Sequence, residues 1–447
     1  MLRSAPLRIL VLGVCASACA AVDPSASWQH VQGLARPATG ATPVWQRSEA
    51  DASAASEEAR LLLADGMTRE AAVRVALLSN PSLQATFEEV GIAQADLVQA
   101  GLPTNPQLSA VPTLPLSAGN SAAALLAFVS DLWLVPARRD VAEAEMDAKI
   151  RRVAAAVVLT ASDAAKAYDE VLYREALLDV ERTNRDIRAE TAARTRKQLG
   201  SDPDDVAMLR TEAEAVQQEL VVARAEKELA SARLRLASVL GLEDPTSLPG
   251  LGDRFGPPPP DGWTTAGAVA FALEQRLDVA AARHDVAAAE RQVALERRSV
   301  LGDVQLGPGY TGGLGTADSG GPALQMGLPV FDQNQAQIAK AEFQLRWREK
   351  RLRALESRVR REIADALADI AFYRRHVELY RTRLEPLQVD AVARADAAGA
   401  RDDVFLLHAL EARQEEVDGR RGYLEAVFEL RSAQQRLHRA LWAGSAS

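Results

Sequence analysis

Residues 137–198 contain neither Pro nor Gly, although the chain as a whole carries 21 Pro and 27 Gly. Along that stretch the apolar positions Ile150, Val153, Val157, Ala161, Ala164, Tyr168 and Val171 follow one another at steps of three or four. That spacing is a coiled-coil seam, narrower than the buried face of a globular helix. A helix of about 60 residues reaches about 90 Å at 1.5 Å per residue, far beyond what a globular domain requires. A second stretch, 337–385, is equally free of Pro and Gly. Its seam runs through Leu352, Leu355, Val359, Ile363, Ala366, Ile370, Tyr373, Val377, Tyr380, Leu384 and Leu387. Pro386 follows and is expected to kink or break the helix before it resumes toward 397. Return helices are expected over 203–240 and 403–442, the first with a seam at Val206, Leu209, Ala213, Val216, Leu220 and Ala223. Alanine at many seam positions permits close approach and suits a wall of side-by-side helices.

The two long stretches belong to a repeat. Thr68 to Leu108 lines up with Thr265 to Leu306, an offset of 196–200 residues that also carries Val141-Ala142 onto Ile338-Ala339 and Asp204-Asp205-Val206 onto Asp402-Asp403-Val404. The 447 residues would by length alone suggest about three domains. They read instead as a signal peptide (1–18), an N-terminal arm (19–66), a first copy (67–247), a linker (248–263), a second copy (264–443) and a short tail (444–447). Pro257 to Pro260 make the linker a stiff polyproline II spacer.

Three segments outside the long helices carry no charge. One residue in four is charged, yet 97–130, 304–316 and 319–331 hold no charged residue at all. These segments are rich in Pro and Gly, and parts of them alternate. Val304, Leu306, Pro308 and Tyr310 share one side of a strand; so do Leu324, Met326, Leu328 and Val330, and in the first copy Leu108, Ala110, Pro112 and Leu114. The stretch 125–135 is smoother and gives no clear period. Uncharged period-two alternation is the pattern of a lipid-facing barrel strand; a buried core hairpin would produce it as well. Two strands per copy make four per chain, fewer than the eight or so that a membrane barrel needs, so a barrel reading requires several chains.

The N-terminus indicates export. Arg3 and Arg8 precede the apolar run ILVLGVCASA, which is the length of a signal-peptide core. Ala16-Ser17-Ala18-Cys19 resembles a bacterial lipobox, in which the cysteine is lipidated and becomes the mature N-terminus; an ordinary signal peptide cut near Ala18 is the other reading. Cys15 and Cys19 are the only cysteines, so a mature chain beginning at Cys19 has no disulfide and no cysteine metal site. Ala20 after the cysteine, where an acidic residue is associated with inner-membrane retention, fits outer-membrane sorting.

Other function classes find little support. The net charge of −9 and the lack of a Lys/Arg cluster argue against nucleic acid. His30, His284, His376, His408 and His438 are scattered and form no two-histidine metal spacing. No strand-turn-helix context for a nucleophile is present, so neither an enzyme nor a cofactor is expected.

The segments MTREAAVRVALLSNPSLQATFEEVGIAQADLVQAGLPTNPQLSA at 67–110 and MGLPVFDQNQAQIAKAE at 326–342 carry a resemblance to the TolC family of outer-membrane efflux channels, in particular its CzcC- and CusC-like lipoprotein branch. The resemblance covers 45–443. It implies a mainly α chain with a small β part: two tandem repeats of long coiled-coil-like helices with two strands each, joined in a homotrimer as an α-barrel and a shared twelve-stranded β-barrel. It also implies a place in the bacterial outer membrane, lipid-anchored and reaching into the periplasm, with a periplasmic adaptor and an inner-membrane pump of RND or ABC type as partners. Leu132-Trp133-Leu134-Val135-Pro136 departs from the family pattern by lacking its Gly and Phe. Trp28 and Trp45 fall in an arm that, by resemblance, wraps the outside of the tunnel.

The turns between long and return helices, at Gly200, Asp202, Asp204 and Asp205 and at Gly399, Asp402 and Asp403, would form the periplasmic tip. Their carboxylates suit helix capping. They also suit an acidic ring in a closed gate, where like charges would favour cations. The competing class is a periplasmic coiled-coil adaptor or structural lipoprotein, which would carry one helical hairpin between β-rich domains where this chain repeats a hairpin-bearing unit.

Overall fold

A computed structural model describes residues 22–64, 66–111, 121–199, 206–242, 244, 248–313, 316–399 and 403–444. Two N-terminal helices, α1 (Ser25–Thr39) and α2 (Glu49–Leu63), precede α3 (Arg69–Ser79) and α4 (Pro81–Gly101). Strands β1 (Gln107–Val111) and β2 (Ser121–Phe128) lead into α5 (Asp131–Leu199), and α6 (Val206–Leu240) returns. The same order then recurs: α7 (Thr265–Gln275), α8 (Leu277–Arg298), β3 (Val304–Gly313), β4 (Thr316–Met326), a long helix and a return helix. That long helix is α9 (Gln335–Leu379), continued through a π-helical turn (Tyr380–Leu384) into α10 (Glu385–Gly399), and α11 (Asp403–Trp442) returns. The protein is mainly helical with one small antiparallel sheet, in the order β1-β2-β3-β4.

Local chemistry accounts for these boundaries. Thr68 and Thr264, 196 positions apart, are N-caps whose Oγ1 atoms accept from Ala71 N and Gly267 N, each at 3.2 Å. The second cap is thus one residue before the Thr265 of the sequence alignment. The 69 residues of α5 begin earlier than expected and include Pro136 in the second turn, where only the bond to Leu132 is lost. The segment Leu132 to Pro136 is therefore helix and not strand. Pro386 neither breaks nor ends the second long helix. The backbone slips to a five-residue step just before it, with Glu385 N donating to Tyr380 O, and the helix resumes at once.

The residues group into two units. One takes the described residues up to Gly33 with 86–153 and 277–356, and the other takes 34–85, 154–276 and the described residues from Ser357 onward. Neither unit coincides with one sequence copy; each draws on both halves of the chain.

In the helical unit, Met67, Val75, Tyr168, Val171, Leu172, Leu236, Leu240 and Leu248 form one core. A second cluster joins Tyr173, Val180 and Ile187 of α5 to Leu410, Val417 and Leu424 of α11, two rows stepping by seven. Tyr173 stacks on Phe428 at 4.6 Å between ring centres, and Tyr380 stacks on Tyr423 at the same distance. The linker is part of this unit's packing and not a free spacer: Arg431 Nε donates to Gly256 O at 2.7 Å and Gln434 Nε2 to Pro259 O at 2.9 Å. Within it, Leu251 forms a parallel bridge with Met67, whose carbonyl accepts from Tyr168 OH at 2.8 Å. Trp45 is buried nearby, where Gln46 Nε2 donates to Leu78 O at 2.8 Å and Gln84 Nε2 to Val44 O at 2.9 Å.

In the strand-bearing unit, Phe87, Val90, Ala144, Ala148, Val279, Ala288 and Val293 are buried, and Trp28 meets Phe87 edge to face at 4.6 Å. The small side chains let these helices lie close together.

Candidate functional site

The sheet is the first element with an unusual surface. Its register pairs Leu108 with Leu125, Ala127 with Leu306, Leu306 with Leu324 and Val304 with Met326. Residues directly opposite in an antiparallel ladder project to the same side, so these chains cover one face together. That face is exposed: Leu108 is 76% and Leu324 65% accessible, and Leu125, Leu306, Tyr310 and Met326 are exposed with them. The opposite face carries Gln107, Ser109, Gln305, Thr311, Ser319 and Gln325, with Val111, Ala122, Ala124, Leu126, Phe128 and Ala323 as its apolar members. On it, Gln305 Nε2 donates to Gln107 Oε1 at 3.4 Å, and the Thr311 and Ser319 hydroxyls lie 3.2 Å apart. An ordinary two-faced sheet buries its apolar side; this one exposes its apolar side and instead buries Leu126 and Gln305 on the other.

The expected strands are found in part. Alternation over Val304 to Tyr310 is β3 and Leu324 to Met326 is the end of β4, but Leu328 and Val330 lie beyond the strand, and both are exposed. Leu108 and Ala110 are in β1, whereas Pro112 and Leu114 fall outside the described residues. β2, the strand the sequence left without a clear period, is Ala-rich over its first half and has no alternation to read.

The helical unit holds a set of buried ionic contacts. Asp169 on α5 is enclosed between two arginines: Arg431 Nη1 lies 2.5 Å from its Oδ1, and Arg69 Nε 3.5 Å from its Oδ2. Burial raises the Asp169 carboxyl above its ordinary range in spite of both neighbours. Twelve residues further along α5, Glu181 receives Arg421 through two contacts of 2.7 and 2.9 Å, and Gln218 Nε2 donates to the same carboxylate at 2.7 Å. Three helices, α5, α6 and α11, are thereby tied at a single acidic side chain.

Asn80 and Arg276 form a related pair that the sequence did not disclose. Both close a short helix in extended backbone, with φ and ψ of −64° and 116° against −68° and 124°. Asn80 Nδ2 donates to Val239 O at 2.7 Å, and Arg276 Nη1 donates to Ala440 O at 3.1 Å; each carbonyl is in the last turn of a return helix. Pro81 forces the break after Asn80, but nothing in the backbone forces one before Leu277. There the 1% exposed Arg276 also reaches Glu362 at 2.7 Å. The offset of 196 between the two breaks was the one available signal.

Of the expected site residues, Cys19, Gly200, Asp202, Asp204, Asp205 and Asp402 lie outside the described residues. Gly399 is the last residue of α10 and Asp403 the first of α11. Among the described residues, no group of three or more His, Cys, Asp or Glu could hold a metal ion, and no helix is long and apolar enough to cross a membrane. His284 lies 3.6 Å from Asp147, and His438 Nε2 is 3.0 Å from Ala38 O. Burial lowers the pKa of both rings.

No family model and no curated protein matches the sequence. Solved structures do match the fold. A membrane protein from Pseudomonas aeruginosa superposes with a TM-score of 0.69 at 20% identity, over 83% of this chain and 92% of that one. CusC, studied for its transmembrane channel formation, gives 0.68 at 19% identity over 84% and 92%. The open-state MtrE outer-membrane channel of Neisseria gonorrhoeae gives 0.66 at 18% identity over 84% and 90%. Most of each chain is covered, and this protein has the fold of the TolC-family outer-membrane channels.

Proposed function

We propose that the chain is one subunit of a homotrimeric outer-membrane channel, the outer component of a tripartite efflux system. Four strands per chain would combine into a twelve-stranded barrel, and the long helices into a tunnel through the periplasm. The observation that carries this reading is the sheet whose apolar face is exposed and whose polar face could line a lumen. Facing water, exposed leucines cost about 25 cal/mol per Å² of apolar surface; facing acyl chains, that cost is removed.

Two copies, 67–247 and 264–443, would supply equal parts of barrel and tunnel, joined by the pinned linker 248–263. A lipid chain on Cys19 would add an anchor to the same membrane. The chain would be a passive conduit for metal ions or small toxic molecules, with selectivity set largely by a periplasmic adaptor and an RND- or ABC-type pump. The turns at Gly200 to Asp205 and Gly399 to Asp403 would form the periplasmic gate, their carboxylates turned toward the lumen as well as capping helices.

Outer-membrane fractionation followed by gel analysis with and without heating tests this. A membrane-bound, heat-modifiable trimer is expected. A monomer released without detergent would exclude the channel and favour the adaptor or scaffold class.

A further inference from the structure

Within the strand-bearing unit the helices follow the order of the strands. α4 leads into β1, α5 leaves β2, α8 leads into β3 and α9 leaves β4. Side-chain contacts link the same neighbours. Lys149 of α5 pairs with Glu89 of α4 at 2.8 Å, Arg152 of α5 pairs with Asp285 of α8, and Arg297 of α8 pairs with Glu342 of α9 at 2.8 Å. The order α4-α5-α8-α9 therefore has α4 and α9 at its two ends, as the sheet has β1 and β4 at its two edges.

Both end helices present an exposed stripe at helical spacing, and the two stripes are opposite in charge. On α9 the stripe is Lys340, Phe343, Trp347, Lys350 and Arg351; Phe343 is 67% and Trp347 54% accessible. Arg346 lies over Phe343 at 4.5 Å and Arg351 over Trp347 at 4.7 Å, so each ring is bracketed by positive charge. On α4 the stripe is Glu88, Ile92 and Asp96, with Ile92 62% accessible.

Counting from the strand-side end of each helix, at 1.5 Å per residue, the stripes also match in height. Lys340 and Asp96 stand about 8 Å down. Phe343 and Ile92 stand about 12 and 14 Å down, and Trp347 and Glu88 about 18 and 20 Å, with Lys350 and Arg351 just beyond. The two helices run in opposite directions, as they must if β4 of one copy continues the antiparallel sheet at β1 of another.

We infer that the partner of the α9 stripe is α4 of a second copy of this chain. Phe343 and Trp347 cover Ile92, while Lys340 faces Asp96 and the Lys350/Arg351 pair faces Glu88. This rests on the channel reading, in which the sheet closes between copies. It adds to that reading a side-chain code that orders the copies head to tail and rejects α9 against α9, where like charges would meet.

The test uses the full chain extracted in detergent. Ile92→Cys with Phe343→Cys should form covalent dimers and trimers under mild oxidant, and neither single variant should. Separately, Asp96→Lys should lower the temperature at which the oligomer dissociates, and Lys340→Asp in the same chain should restore it. An oligomer of normal yield that does not cross-link, or that is indifferent to Asp96→Lys, overturns the interface and leaves the channel reading standing. A wild-type chain that is monomeric in detergent overturns both.

Discussion

Arg421 grips Glu181 with two parallel contacts, Nε to Oε1 at 2.7 Å and Nη2 to Oε2 at 2.9 Å, and thereby ties α11 to α5. Glu181 is only 5% exposed at the side chain and also accepts from Gln218 of α6. Bidentate geometry of this kind is stronger than a point-charge contact. Removing the carboxylate would leave Arg421 only its contact to Asp418 at 2.9 Å and the Gln218 amide only its 3.2 Å bond to the backbone carbonyl of residue 181.

Glu181→Ala is therefore expected to destabilise the helical unit by about 2 kcal/mol. That is below the 3–5 typical of a fully buried pair, because Arg421 is itself about a third exposed and water screens it. Glu181→Gln keeps one acceptor and should cost less. Thermal midpoints followed by far-UV circular dichroism give the order wild type, Glu181→Gln, Glu181→Ala; equal midpoints would remove the tie from the account.

Gly241 ends α6 with a left-handed φ of +72°, and a Cβ there would run into the Ser79 carbonyl. Gly241→Ala should cost about 1–3 kcal/mol from backbone strain alone, with the collision added. Gly250, which has open space around its Cβ position, provides the matched control. Gly250→Ala should melt close to wild type while Gly241→Ala melts well below it.

His438 is buried and hydrogen-bonded to Ala38 O, and burial lowers its pKa below the ordinary 6.5, with Arg69 and Arg439 adding repulsion. In the unfolded chain the ring gains its proton near pH 6.5, but in the fold only at lower pH. Stability from this residue is thus full above about pH 6.5 and is lost as the pH falls from there through the lowered folded value. His438→Gln should show a smaller fall in thermal midpoint between pH 7.5 and pH 5.5 than wild type. An equal fall in both would assign the acid sensitivity elsewhere.

Much of the helical framework was legible in the sequence because a seam at steps of three and four over 137–198 admits few alternatives. The exact course at Pro386 was not: a proline can be met by a kink, a stop or a register slip, and the slip of Tyr380 to Leu384 is chosen by packing, with Tyr380 held on Tyr423. β3 was readable because Leu306 and Tyr310 alternate with small and polar residues, whereas the alanines of β2 give no period. Arg276 was unreadable for a different reason. A single arginine in an apolar helix end looks like surface, and only the three-dimensional meeting with Glu362 and Ala440 gives it a buried role.

If the turns form the proposed periplasmic gate, Asp402→Asn together with Asp403→Asn should alter single-channel conductance or its block by multivalent cations, since removing carboxylates from a narrow lumen weakens cation attraction. Unchanged conductance and block in planar bilayers would leave these residues with helix capping alone.

Planar-bilayer recording of the detergent-extracted oligomer tests the central reading most directly. A pore lined by the polar face of the sheet, with Gln107, Gln305 and Gln325 inward and Leu108, Leu306 and Leu324 toward lipid, should give discrete current steps of reproducible size. Protein that enters the bilayer as an intact oligomer yet never carries current above that of the bare membrane would contradict it.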